Sequence, residues 1–284
     1  MNSSNVSENR TVLSSIAPET LNNIIRFAPA MEGYIQFFGD YALSFLTQNE
    51  EIDRHLLLKK EHSLRVMANA WDITKGEDRF ERRKGALLAA LFHDMGRFEQ
   101  FTQYRTFVDS LSVNHGTLSA QLLMREGVVS KESFELQRHI KTAVLLHNRR
   151  ETPQGIKDDA LYTLQVVRDA DKIDILGIMA PLLEAGGTID TTILMHLQDI
   201  PHAISPAFAA YTQGSEPLEY TAMQYVNDFR MLQISWINQF CFPQSIALAL
   251  QKGHMTRIAS GLEGVPRVME KAYALLEQTR VSPA

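Results

Sequence analysis

The sequence predicts an all-α fold, and three observations lead to that prediction. In most of its 284 residues, apolar side chains recur every three or four positions, the spacing that places them on one face of a helix. Helix-start signals precede several of these segments, as at Ala17-Pro18-Glu19, where proline and an acid occupy a first turn. No pair of alternating segments typical of a β-hairpin interrupts them. We therefore expect an all-helical protein.

The helices follow one another in order along the chain. Apolar stripes at helical spacing occupy residues 21–28 and 31–45, and further helices are predicted near 53–70, 79–94, 114–126, 130–148, 158–178, 219–240, 243–252 and 266–279. Residues 98–113 are rich in aromatic side chains and are predicted as an ordered loop. Residues 1–15 are rich in Ser and Asn and are predicted as a disordered tail. Because no linker divides the remainder, we expect residues 16–284 to form a single domain.

Composition excludes several classes of function. Charged residues make up 21% and the net charge is −5 with a pI near 6.0, which argues against a binder of long nucleic acid or of membrane surfaces. Cys241 is the one cysteine, so neither a disulfide framework nor a cysteine-based zinc site can form. The polar N-terminus does not resemble a secretory signal, and no apolar stretch is long enough to span a bilayer. We therefore expect a cytoplasmic protein.

A buried run that ends in two polar residues raises the question of function. Leu87 to Phe92 are all apolar, and His93-Asp94 follow at once; burying an imidazole and a carboxylate is costly unless a partner satisfies them. Gly96 is expected to let the backbone turn after them. Other imidazoles and carboxylates also lie on or beside apolar helix faces: His62, His115, His147 and Asp171. A metal would satisfy the whole set, and six ligands suit two ions that share a carboxylate.

Any one of these histidines, taken alone, is more often a hydrogen-bonded core residue than a ligand, but the ordered set is more specific. It resembles the HD-domain superfamily of metal-dependent phosphohydrolases. The resemblance is carried by five segments within about 59–176: His62–Val66, Leu87–Phe98, Ser112–Gly116, Leu145–Arg149 and Arg168–Leu176. It implies an HD-domain-like helical bundle, with residues 179–284 as a C-terminal helical extension. Those later helices suit a lid or a dimer face, so a homo-oligomer stays open.

The resemblance also implies roles for particular residues. His62, His93, Asp94 and Asp171 match the family's core ligands, with Asp94 as the bridge, and His115 and His147 match the extra histidines of its two-metal branches. They would hold one or two divalent ions, Mn, Fe, Co or Ni. The expected reaction is hydrolysis of a small phosphorylated substrate, in first place a nucleotide, by a metal-activated water. Asp94 and Arg97 are the predicted catalytic residues, and the predicted substrate-binding cations are Arg97, Arg65, Arg149 and Lys172.

The sequence lacks motifs that are typical of two branches of the superfamily, which makes their substrates less expected here. The branch that hydrolyses cyclic dinucleotides has a lysine after its HD motif and a Gly-Tyr-Pro loop; this chain has Arg97 and no such loop. The acidic pair of the alarmone hydrolases is also missing. A mixed-valent di-iron oxygenase of the same superfamily remains the alternative, and a non-catalytic nucleotide-binding module is a further one. The aromatic side chains of the predicted loop suit either stacking on a base or a local core: Phe98, Phe101, Tyr104 and Phe107.

Overall fold

The computed structural model describes residues 15–187, 197–212 and 216–281, the side chains of 279–281 excepted. The predicted all-α fold is confirmed, because the described residues form helices and turns and contain no strand, only an isolated bridge between Gln198 and Tyr225. The predicted tail lies, apart from Ser15, outside the described residues. Within the same parts of the chain, no helix is both long and apolar enough to cross a bilayer.

The described helices are numbered in chain order. They are α1 (Pro18–Phe27), α2 (Ala30–Leu43), α3 (Glu50–Ile73), α4 (Phe80–Phe92), α5 (Gly96–Tyr104), α6 (His115–Arg125), α7 (Phe134–Leu146), α8 (Asp158–Leu183), α9 (Pro206–Ala210), α10 (Val226–Ser235), α11 (Pro243–Lys252), α12 (His254–Ser260) and α13 (Pro266–Val281). Short 3₁₀ turns occupy Asp109–Leu111, Tyr220–Ala222 and Trp236–Gln239. Most bounds agree with the predicted helices to within a few residues.

The described residues group into two compact units, divided between Asp171 and Lys172 within α8. In the first unit α4 is central: it packs against α2, α3 and α7, and every residue from Ala86 to Phe92 is fully buried. Burying each large apolar side chain contributes about 1.5–3 kcal/mol, so this run anchors the unit. The prediction of one domain for residues 16–284 is not decided by this grouping and stays a prediction.

The second unit has its own core, contributed by α10, α12 and α13 among others. A buried carboxylate fixes the start of α10. Asp228 accepts hydrogen bonds from the backbone N–H groups of Gln224 and Tyr225, and from the N–H and Oγ–H of Ser205. A negative charge in the first turn of a helix satisfies N–H groups that lack partners there, so Asp228 stabilises α10 although it is buried.

The predicted loop over residues 98–113 is wrong for its first half, which is the last two turns of α5. Phe98 and Phe101 are three residues apart and lie buried on one face of this helix, and Phe98 packs edge-on against Phe38 of α2 at 6.0 Å between ring centroids. Arg105, in the left-handed region with φ 54°, ends the helix. The aromatic residues therefore form a short amphipathic helix. Two further differences are that the segment 219–240 is divided among α10 and two 3₁₀ turns, and that the short helices α9 and α12 are not among the predicted helices.

Gly96 has a different role from the predicted flexible joint. The backbone around it stays helical, since Met95 before it has φ −54° and ψ −33°. A Cβ on Gly96 would lie 2.7 Å from the backbone N of Ser119 and 2.8 Å from the carbonyl oxygen of His115, and its N–H donates to the Ser119 Oγ at 2.7 Å. Glycine is needed here because α5 and α6 approach closely.

We therefore expect Gly96→Ala to lower the free energy of unfolding by about 1–3 kcal/mol, because backbone atoms of α6 must move to accept the methyl group. Urea unfolding followed by circular dichroism would measure the change. Gly33→Ala on α2 is the matched control: nothing lies within 4 Å of its added Cβ, so it should stabilise the protein by about 0.5–1 kcal/mol. Equal effects of the two substitutions would contradict the close-approach explanation.

Candidate metal centre

The end of α4 presents His93 and Asp94 to the interior. His93 is the C-cap residue of α4, and its Nδ1–H donates to the carbonyl of Ala90 at 2.8 Å, one of the last-turn carbonyls that lack a helical partner. A carbonyl only accepts, so the proton is on Nδ1 and the neutral ring has its lone pair on Nε2. His93 is fully buried and Asp94 is 3% exposed. The helix end thus fixes which nitrogen is available as a ligand.

The end of α7 repeats this arrangement. His147 is the C-cap residue of α7, and its Nδ1–H donates to the carbonyl of Val144 at 2.8 Å. His147 is buried, and in the neutral ring its Nε2 carries the lone pair by the same reasoning. Two helices therefore end in histidines whose ring orientation is set by their own backbone.

His115 is held by a side chain instead. It is the first residue of α6, after the N-cap Asn114, whose side chain accepts from the N–H of Thr117. Its Nδ1–H donates to Asp109, with the two carboxylate oxygens at 2.8 and 2.7 Å. Asp109 lies on the 3₁₀ turn before α6. A carboxylate on Nδ1–H fixes the ring and makes Nε2 a better ligand.

His62 and Asp171 complete the set. His62 lies on the buried face of α3, and its Nε2 is 3.1 Å from Oδ1 of Asp171 on α8. That carboxylate oxygen is buried and has no hydrogen-bond donor. Burial alone would raise the pKa of Asp171, but the neighbouring His62 and His93 lower it well below its usual value. An ionised oxygen with no donor is a position that suits a cation.

Four histidines converge on the two oxygens of Asp94. Its Oδ2 lies 3.6 Å from Nε2 of His62 and 3.7 Å from that of His93. Its Oδ1 lies 3.4 Å from Nε2 of His115 and 3.7 Å from that of His147. The Nε2 atoms are 3.3 Å apart in the first histidine pair and 3.1 Å apart in the second. The result is two clusters of potential ligands, His62-His93-Asp94 and Asp94-His115-His147, that share one carboxylate.

The distances between the paired Nε2 atoms fit metal coordination. In neutral rings with the proton on Nδ1, the Nε2 lone pairs of His115 and His147 face each other across 3.1 Å. Ligands bound at about 2.1 Å to one ion lie about 3.0–3.4 Å apart in octahedral or tetrahedral geometry. A cation between the lone pairs would turn their repulsion into binding. The donor set, imidazole with carboxylate, suits divalent transition metals.

The electrostatics keep these groups ready to bind a metal. Burial lowers the pKa of His93 to about 3 and that of His115 to about 4, although neighbouring carboxylates act in the opposite direction. Burial would raise the pKa of Asp94, but Lys59, His93 and Arg97 together hold it well below its usual value. The two imidazoles are therefore neutral and the carboxylate is charged at neutral pH, the states in which they bind metals.

The comparison with known families agrees with this geometry. The family model of the HD domain matches residues 60–176. This part of the chain belongs to the HD-domain superfamily. Searches of curated proteins and of solved structures gave no match. The match confirms the superfamily that the sequence predicts. HD domains bind divalent metals, and most are metal-dependent phosphohydrolases. The roles of individual residues in this chain stay predictions.

Arg97, the predicted substrate-binding and catalytic cation, lies beside the shared carboxylate of the HD domain. Its Nε is 3.4 Å from Oδ1 of Asp94. Its Nη1 donates to the side chain of Gln100 at 2.8 Å, to the carbonyl of Phe107 at 2.5 Å and to Asp109 at 3.2 Å. These contacts hold the guanidinium in place beside Asp94.

The other three predicted cations of the HD domain have different surroundings. Arg65 is half-buried on α3, one turn after His62, and Arg149 is exposed after α7. Lys172 donates to Gln239 at 2.9 Å. The described contacts thus bring Arg97 to Asp94, and the substrate-binding roles of Arg65, Arg149 and Lys172 stay predictions.

Sequence reasoning missed three residues of the site. Lys59 donates to Asp94 at 2.9 Å, and Asp109 holds both His115 and Arg97. Asn148 donates to Asp109 at 3.1 Å. Lys59 precedes His62 by three residues, so the helical i, i+3 rule could have placed it on the ligand face. Asp109 has no such local signal, because only the folded turn brings it to His115.

For the aromatic side chains the alternatives are stacking on a base and a local core, and burial decides between them for Phe98 and Phe101. Phe98 is fully buried and Phe101 is 6% exposed, so both belong to the core. Phe107 is half-buried and stacks on Phe101 with 4.7 Å between centroids. Tyr104 is 44% exposed and is the one of the four whose ring is open to a ligand.

As the pH is lowered, the metal-free protein should begin to lose stability at a higher pH than protonation of carboxylates alone would produce. The unfolded chain protonates His93 and His115 near pH 6.5, but the folded site resists until about pH 3 and 4. Over that window the unfolded state binds more protons, so each histidine lowers the free energy of unfolding by about 1.4 kcal/mol per pH unit as the pH falls. Urea unfolding at several pH values would measure this slope, and His115→Gln should make it shallower. A flat profile down to about pH 4.5 would contradict it.

Removing a histidine of one cluster should remove the metal of that cluster. We expect His147→Ala to roughly halve the metal bound per chain, because Asp94, His62 and His93 still form the other cluster. Inductively coupled plasma mass spectrometry after dialysis would measure it, with His139→Ala, a substitution on α7 outside both clusters, as the control. Unchanged metal content would mean that His147 is not a ligand.

Proposed function

We propose that the HD domain hydrolyses a small phosphorylated substrate, in first place a nucleotide, with one or two divalent ions such as Mn, Fe, Co or Ni. The observation that supports it most directly is the sharing of Asp94: each of its oxygens faces a pair of imidazole Nε2 atoms, and Arg97 lies beside it. We propose that long nucleic acid and membranes are not its partners, in line with the net charge of −5.

A divalent metal, when bound, acidifies a water to supply the nucleophile and stabilises negative charge on phosphate oxygens. The chain supplies the rest. His93 and His147 are oriented by helix-end carbonyls, and His115 by Asp109. Arg97 has a buried Nε–H without a hydrogen-bond acceptor, so a phosphate oxygen would satisfy it. A prepositioned guanidinium stabilises the charge that develops on the phosphoryl group without reorganising first.

The proposal of a nucleotide rests on the position of Tyr104. Tyr104 follows Arg97 by seven residues on α5, so both lie on one face, about 10 Å apart along the helix axis. Its exposed ring suits stacking on a base while Arg97 contacts the phosphate. The family relationship supports a phosphorylated substrate in general.

The test is phosphate release from a panel of phosphomonoesters, nucleotides and cyclic dinucleotides, with Mn, Fe, Co or Ni added in turn. We expect release to require a metal and Asp94→Ala to abolish both activity and metal retention, since both clusters lose their shared ligand. Asp78→Ala removes an exposed carboxylate between α3 and α4 and is the matched control, which should keep both.

Two results would contradict the proposal. Activity that survives in Asp94→Ala would place the chemistry elsewhere. If wild-type protein that holds metal releases no phosphate from any member of the panel, hydrolysis is the wrong reaction. Oxygen consumption by the iron-loaded protein would then favour the di-iron oxygenase alternative.

A further inference from the structure

Lys59 and Arg97 each lie beside one oxygen of the shared carboxylate. Lys59 lies on α3 just before the matched HD stretch, and its Nζ is 2.9 Å from Oδ2 of Asp94. The Nε of Arg97 is 3.4 Å from Oδ1. Their side chains are 19% and 14% exposed, so both cations are largely removed from solvent. Each therefore lies at the edge of a different ligand cluster.

Both cations make cation–π contacts with one aromatic ring, that of Phe107. The Nζ of Lys59 is 5.3 Å and the Cζ of Arg97 is 5.7 Å from the centroid of Phe107. Phe107 stacks on Phe101, which stacks on His55 of α3 at 4.9 Å between centroids. Cation–π contacts at these distances favour the charged groups on the ring face. The stack thus fixes the two cations relative to α3 and α5.

Both cations still have donors to offer. An ammonium group has three N–H donors, and Asp94 accepts one from Lys59. The Nε–H of Arg97 is buried without an acceptor, because Asp94 lies within ion-pair distance but outside hydrogen-bonding geometry. A buried donor without a partner costs free energy. An anion that brings several oxygens to this edge of Asp94 would satisfy both residues.

We infer that Lys59 and Arg97 form an anion-binding pair for the terminal phosphoryl group of a phosphomonoester. The inference rests on the proposed function and narrows its substrate. A phosphomonoester has three free oxygens and a charge of about −1.5 to −2. These oxygens can bind to the metals and accept hydrogen bonds from both Lys59 and Arg97. A phosphodiester has one fewer free oxygen and a single negative charge, so it satisfies this edge less well. Lys59 is therefore the residue that favours monoesters over diesters.

The experiment titrates inorganic phosphate into metal-loaded protein by calorimetry and measures metal content in parallel. We expect Lys59→Met to weaken phosphate binding about tenfold, the loss of one charge-assisted hydrogen bond, with metal content unchanged. Lys59→Arg keeps the charge and should restore most of the affinity. Lys75→Met removes a lysine that is 67% exposed and should bind phosphate as the wild type does. Thermal unfolding of each variant establishes that it is folded.

Catalysis gives a second measurement. The ratio of kcat/KM for p-nitrophenyl phosphate over bis(p-nitrophenyl) phosphate should fall in Lys59→Met and recover in Lys59→Arg. Unchanged phosphate affinity, or an unchanged ratio, overturns the inference while the hydrolase stands. Loss of metal together with phosphate binding in Lys59→Met also overturns it, since Lys59 would then serve only to keep Asp94 charged. Phosphate binding that depends on Lys59 in a protein that cleaves no ester would refute the proposed function alone.

Discussion

The buried negative charge of Asp94 is the constraint that orders the first unit. A carboxylate that is 3% exposed loses its hydration, and the fold must replace that loss with donors or cations. Lys59 and Arg97 contribute part of the replacement, and metal ions bound between Asp94 and the four imidazoles around it would contribute more. The helices that carry these groups, α3 to α7, therefore have to meet at one point, and the fully buried run of α4 holds that point in the interior.

Helix ends, more than loops, make the site rigid. His93 and His147 both occupy C-cap positions, where the carbonyl of the preceding turn accepts from Nδ1 and so directs Nε2 towards Asp94. The same carbonyls would otherwise lack partners in a buried environment. One hydrogen bond in each helix thus gives a helix-end carbonyl its donor and also orients the imidazole. The orientation of the two rings therefore does not depend on the metal. This explains how a metal site can form where a dense apolar run ends.

Periodicity was enough to predict the fold class and most helices, because burial of one helix face leaves a repeating pattern in the sequence. It fails for α5, because the predicted loop includes Phe98 and Phe101 although their three-residue spacing is helical. The ordered histidines and aspartates indicated the superfamily, which the match over residues 60–176 confirms. Asp109 could not be found in this way, since it meets His115 only through a 3₁₀ turn that has no sequence periodicity.

Asp109 has a consequence for how metal and substrate binding depend on each other. Its carboxylate accepts from His115, a predicted ligand, and from Arg97, the predicted substrate cation. Burial opposes its ionisation, but His115, Arg97 and Gln100 lower its pKa to about 2, so it stays charged at neutral pH. A metal ion held by His115 Nε2 would polarise the ring and strengthen the Nδ1–H bond to Asp109, and this would weaken the hold of Asp109 on Arg97. Because linkage is reciprocal, an anion that accepts from Arg97 and weakens its bond to Asp109 would in turn change the affinity of the His115 cluster for its metal.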